Sequence, residues 1–231
     1  MKIGLLECDH VAVQLRHIAG DYREMFTDLF SRHAPQIDLE FFDVRNGEFP
    51  ASVDVCDGYL TTGSRFSACD DEGWIRELKN FVRQLRDANT PFVGICFGHQ
   101  ILAEALGGKV WKAPQGWGIG IHGLKPVKFE DWMQPEQATC NLQHSHRDQV
   151  QRLPENGVLL GESDHCPVAM FRVGKKMIGI QGHPEFPAPY VEALVRGRTD
   201  LIGAELVNAA NFSAPTDEAV ITAWLAKFLS A

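Results

Sequence analysis

At 231 residues, 45% hydrophobic and 23% charged, the chain is long enough for one sizeable core and short for two, so a single domain over 1–231 is expected. A formal charge of −8 with no basic block argues against nucleic acid or an anionic membrane as partner, and no apolar run is long enough for a signal peptide or a membrane span. Six cysteines (Cys8, Cys56, Cys69, Cys96, Cys140 and Cys166) show no C-x-x-C spacing; neither a zinc site nor a disulfide framework is signalled, and a reducing, cytoplasmic setting fits.

In chain order, Lys2 to Glu7 reads as a first strand and Tyr22 to His33 as a helix with Met25, Phe26, Leu29 and Phe30 on one side. Leu39 to Val44 and Asp57 to Thr62 give two more strands, and Glu72 to Ala88 a long amphipathic helix. Pro91 to Ile95 is a short apolar strand that leads into a helical run from Gln100 to Leu106, ended by Gly107-Gly108. From Val110 to Val173 the pattern changes to short segments such as Leu124 to Phe129, Val158 to Glu162 and Val168 to Val173, which predict added, mostly antiparallel strands. Met177 to Gln181 returns to a buried apolar strand, and the tail from Asp200 to Ala231 has room only for helices. The expected fold is α/β: a mostly parallel central sheet with helices on both faces and a β-rich insertion.

The most informative stretch is Gly94-Ile95-Cys96-Phe97-Gly98-His99-Gln100, at the junction of the fourth strand and the helix after it. A free cysteine is more often buried and inert. One flanked by glycines on a strand-to-helix turn is instead held as serine is in a G-x-S-x-G elbow, where the helix N-terminus favours a thiolate and its N–H groups face a developing oxyanion. A thiol nucleophile needs a base, and the strand Met177 to Gln181 runs directly into Gly182-His183-Pro184-Glu185. His183 then leaves the sheet at the carboxyl end, where open α/β folds bind ligands. Glu185 is near enough to orient the imidazole, so Cys96, His183 and Glu185 are the expected catalytic residues.

At these residues the chain resembles the class I glutamine amidotransferases, whose catalytic domain carries a G-x-C-x-G-x-Q turn and a later H-P-E. The likeness runs from Lys2 to about Glu192 and is strongest to stand-alone domains similar to the GMP synthetase glutaminase and to plant γ-glutamyl peptidases. It implies a flavodoxin-like fold and hydrolysis of the γ-amide of glutamine or of a γ-glutamyl compound. It also implies an oxyanion hole from the N–H of Phe97 and one from Thr61-Thr62-Gly63-Ser64-Arg65, either Gly63 or Ser64. Gln100 matches the family glutamine that holds the substrate's amino-acid end; its other reading is a helix-surface amide. His144-Ser145-His146-Arg147-Asp148 resembles the S-H-x-D segment that borders the glutamine pocket, with Arg147 where glycine is common among GMP synthetase relatives. His144, His146 and Asp148 also admit a metal-ligand reading, but no further clustered ligand completes a site. Trp111, Trp117 and Trp132 could wall a pocket or belong to core and rim.

The chemistry this implies is acyl transfer through a γ-glutamyl thioester on Cys96, with no metal or organic cofactor required. No G-x-x-x-x-G-K-[ST] phosphate loop is present, so a synthetase half is not expected in this polypeptide. The leaving ammonia or amine is either passed to a separate acceptor subunit or released by a free hydrolase. A binding module that has lost activity is a third reading, opposed by the intact Cys96, His183 and Glu185.

Overall fold

The first half of the chain alternates strands and helices in the computed structural model, which describes residues 1–231. β1 (Lys2–Leu6) is followed by a helical turn α1 (Arg16–Ala19) and by α2 (Tyr22–His33), whose first turn is closed by a capping box between Asp21 and Glu24. Then come β2 (Asp38–Phe42), β3 (Gly58–Thr61), α3 (Gly73–Asp87), β4 (Phe92–Ile95) and α4 (Phe97–Ala105). The second half supplies β5 (Lys109–Lys112), β6 (Gly118–Pro126), β7 (Cys140–His146), β8 (Asp148–Arg152), β9 (Gly157–Glu162), β10 (Met170–Val173) and β11 (Met177–Ile180). Helices α5 (Ala188–Arg196), α6 (Thr199–Ile202), α7 (Ala204–Ala209) and α8 (Glu218–Ser230) finish it.

Nine strands form one mixed sheet in the order β2-β1-β3-β4-β11-β10-β9-β6-β7, and β5 pairs with β8 separately. The strands from β2 to β11 pair in parallel, and those from β11 onward antiparallel. This is the expected α/β sheet with its β-rich insertion, which extends the sheet on the far side of β11.

Side chains alternate between two cores, as a sheet covered on both faces requires. Leu60 and Val93 enter a 37-residue core built with α2, α5 and α8, whereas their neighbours Tyr59 and Phe92 enter a 22-residue core built with α3 and α4. The parallel register aligns Thr61 with Gly94 and Ile95 with Ile180, so β3, β4 and β11 end together at one carboxyl edge.

Two elements differ from the sequence reading by more than two residues at a boundary. The strand expected at Leu124 to Phe129 runs from Gly118 to Pro126, because Gly118 and Gly123 act as close-packing positions in it: a Cβ would meet His165 and His146 at the first and Thr139 at the second. The helix expected from Gln100 begins at Phe97, directly after Cys96. Strands β5, β7 and β8 lie outside the segments that sequence pattern marks. No helix is long and apolar enough to cross a membrane.

Candidate active site

Cys96 joins β4 to α4 with φ 49° and ψ −98°, a region L-residues rarely occupy. Such a conformation costs on the order of 1–3 kcal/mol and persists only where its surroundings impose it. Here the Cys96 N–H donates to the Ile180 carbonyl at 2.8 Å and the Gln100 N–H to the Cys96 carbonyl at 3.2 Å, pinning the residue between β11 and α4. The flanking glycines are forced by packing: a Cβ on Gly94 would overlap the Gly98 backbone, and one on Gly98 would overlap Thr61 Oγ1. That hydroxyl accepts from the Ile95 N–H at 3.2 Å. The G-x-C-x-G spacing is thus the space left between β3, β4 and the start of α4.

His183 follows β11 by three residues, and its N–H donates to the Gln143 carbonyl at 2.9 Å, tying the segment to β7. Its Nδ1 lies 2.7 Å from Glu185 Oε1, with both side chains buried. Burial alone would press the imidazole toward its neutral form; the Glu185 carboxylate and the Cys96 sulfur outweigh that and push its pKa up to about 10. The Phe186 ring stacks on the imidazole with centroids 3.8 Å apart and planes 6° from parallel. On the opposite strand end, a Cβ on Gly63 would sit 2.7 Å from His183 Cε1, so glycine is what lets the loop after β3 approach the imidazole.

Two cavities meet at Cys96. One is lined by His183, Tyr22, Phe186, Tyr190 and Leu194. The other is lined by Gln100, Trp117, His146, Arg147 and Asp148. Ser64, Arg65, Ser145 and Arg198 border both. The Gly63 and Ser64 N–H groups donate to no other protein group, while the Ser64 hydroxyl accepts from the Phe66 N–H at 3.3 Å. Buried Asp9 holds this loop by accepting from the Arg65 N–H at 3.0 Å and from Arg45 at 2.9 Å.

The structure therefore brings Cys96, His183, Ser64 and Ser145 to one cleft and sets Glu185 behind His183. Phe97 turns its ring into the second core, against Trp74 at 5.6 Å, and lines neither cavity. Gln100 is buried, not a helix-surface amide: its Nε2 donates to the Asp148 carbonyl at 2.8 Å and to Gln181 Oε1 at 3.3 Å. His144 lies one layer behind the cleft, in a ring of imidazoles with His122, His146 and His165 whose successive centroids are 5.1, 5.3, 5.9 and 5.4 Å apart. No group of three or more His, Cys, Asp or Glu side chains is placed to hold a metal ion. Of the tryptophans, Trp117 lines the cleft, Trp132 packs on Phe228 at 5.2 Å, and Trp111 is exposed.

Sequence reasoning misses Gln181, whose Nε2 donates to Cys96 Sγ at 3.4 Å, and Phe186. Each adjoins a motif that is legible, Gln181 at the end of the histidine strand and Phe186 after Glu185, so proximity in sequence is the available signal. Asp9, Tyr22 and Arg198 have none, because only the topology brings β1, α2 and the end of α5 to this edge.

A cleft at the carboxyl edge of a parallel sheet, with a strained thiol beside a histidine–carboxylate pair, defines an α/β enzyme. Residues 68–189 match the family model Glutamine amidotransferase class-I, and the chain belongs to that family. It is 36% identical over 176 residues to Gamma-glutamyl peptidase 5 of Arabidopsis thaliana, covering 72% of this chain and 68% of that one. It is also 35% identical over 102 residues to a glutamine-hydrolyzing GMP synthase subunit of Archaeoglobus fulgidus, covering 44% of this chain and 55% of that one. A glutamine amidotransferase from Thermotoga maritima shares the fold, with a TM-score of 0.77 at 20% identity over 99% of this chain and 96% of the other.

Proposed function

We propose that the chain hydrolyses the γ-amide of glutamine or of a γ-glutamyl compound through a thioester on Cys96, with His183 as base and Glu185 as its orienting partner. One observation carries this reading: the strained Cys96 opens onto the cleft that His183 lines, and His183 Nδ1 is held by Glu185 at 2.7 Å. His183 takes the thiol proton, and the thiolate attacks the γ-carbonyl carbon. The Phe97 N–H and the free N–H of Gly63 or Ser64 stabilise the oxyanion. Collapse breaks the C–N bond, and His183 returns the proton to the departing ammonia or amine. Water, deprotonated by His183, then releases glutamate and regenerates the thiol. Gln100 and His146, which line only the cavity without His183, and Ser145, which borders both, flank the glutamyl half, with His144 supporting them from behind. We also read residues 1–231 as one cytoplasmic domain, in keeping with its single large sheet and its unpaired cysteines.

The deciding experiment measures glutamate release from glutamine and from a panel of γ-glutamyl peptides, with Cys96→Ala as blank. Cys96-dependent turnover of peptides supports a stand-alone γ-glutamyl hydrolase, the activity named in the Arabidopsis relative. Slow turnover of glutamine alone supports a glutaminase that hands ammonia to a separate synthetase, the reading favoured by the likeness to the Archaeoglobus GMP synthase. No Cys96-dependent release from any of them rejects both.

A further inference from the structure

Every arginine of the chain except Arg147 and Arg198 makes a side-chain hydrogen bond or ion pair. Both exceptions line the Cys96 cleft of a chain whose net charge is −8. Their positions differ. Arg147 is exposed and borders only the cavity of Gln100 and His146, whereas Arg198 is half-buried and borders both cavities. A half-buried guanidinium with no protein partner keeps its fork of donors available to a carboxylate, whose geometry it matches.

The chemistry of the proposed reaction orients the substrate. His183 must protonate the leaving nitrogen, so the leaving amine occupies the cavity that His183 lines, and the glutamyl half occupies the other. On the leaving side Arg198 stands with Tyr22, Phe186, Tyr190 and Leu194, an apolar wall with a cation. The carboxylate there, Asp9, is already engaged by Arg45 at 2.9 Å and lies 3.7 Å from Arg65. Ammonia leaving from glutamine would use none of this.

Building on the γ-glutamyl reading, we infer that Arg198 binds a carboxylate carried by the leaving amine. The preferred substrates are therefore γ-glutamyl amino acids or peptides with a free C-terminal carboxylate, and Arg198 is the residue that selects them over glutamine. Arg147 serves the glutamyl side, common to all substrates.

The test compares kcat/KM for γ-glutamylalanine and γ-glutamylalanylglycine with that for their C-terminal amides. Wild-type protein is expected to favour at least one acid over its amide by roughly ten- to a hundredfold, the span of one charge-assisted contact. Arg198→Gln should collapse that ratio toward one, chiefly through KM, and Arg198→Lys should keep part of it. Arg147→Ala should lower acid and amide alike, leaving the ratio intact. A wild-type ratio near one for both pairs, or a ratio that survives Arg198→Gln, overturns the inference. Absence of Cys96-dependent release from every substrate would instead reject the underlying reading.

Discussion

As the proposed base, His183 carries two requirements at once: to hold a proton between a thiol and a carboxylate, and to stay where Gly63 and Phe186 confine it. Glu185 meets the first. Because the imidazole pKa is pushed up to about 10 against an ordinary value near 6.5, the folded chain keeps a proton that the unfolded chain gives up. The stability this contributes is whole below pH about 6.5 and is lost as pH rises through about 10. Glu185→Gln removes the charge that raises the pKa, so denaturant unfolding of the variant should lose less stability than wild type between pH 7 and 10; equal losses would show that the pair is not linked to folding. Its kcat/KM should fall by about 10²- to 10⁴-fold, yet retain more activity than Cys96→Ala. Gly63 meets the second requirement. In Gly63→Ala the new methyl lies 2.7 Å from His183 Cε1 and displaces the ring, so kcat should drop by about a hundredfold or more for a stability cost of about 1–3 kcal/mol. Unchanged kcat would mean that the loop, not the imidazole, gives way. At this scale much is legible: the glycines around Cys96 and the His183-Pro184-Glu185 run each encode a backbone demand in local sequence. Gln181, whose amide reaches the thiol, is not, because a strand-end glutamine declares no partner.

Strands β6 and β7 carry three of the four ring histidines, and the loop after β9 carries the fourth, His165. Burial first, and then mutual repulsion, holds the His144 and His146 pKa values well below the ordinary range, and burial also lowers those of His122 and His165. The ring nitrogens of His144 and His146 have no hydrogen-bond partner. Below pH about 6.5 the unfolded chain binds protons that these imidazoles refuse, so the stability present above that pH falls as pH falls. His144→Phe keeps the ring shape and removes one such site. It should cost less than about 1.5 kcal/mol at pH 8 and become neutral or stabilising at pH 5, as read by urea unfolding at the two values. Equal destabilisation at both would assign His144 a bond that its neutral ring makes. The same histidines explain why β7 escapes sequence reading. Its inward positions Cys140, Leu142, His144 and His146 alternate correctly, but half are imidazoles, which a hydrophobic pattern scores as polar. Strand β6 reads short for the converse reason, since glycines that serve close packing look like turn signals.

Across the whole molecule, the sheet separates two cores, and the C-terminal helix α8 closes the larger one. Trp224 of α8 is fully buried, and its Nε1 donates to the Pro135 carbonyl at 2.9 Å, joining the tail to the insertion. Trp224→Ala should cost about 3–5 kcal/mol in urea unfolding, a large part of the roughly 5–15 kcal/mol that holds such a domain. A loss under about 1 kcal/mol would make α8 a detachable appendage. The α/β alternation is readable because buried parallel strands are continuous apolar runs; which loops share an edge is not, since that depends on strand order. The order has a temporal meaning too. β4 and β11 are neighbours in space, although the entire insertion is translated between them. A nascent chain thus presents its thiol long before the imidazole exists, and the two meet only after that long loop has closed against its entropy. No product of the ribosome shorter than 183 residues carries both groups, so the proposed turnover waits on synthesis of the whole insertion.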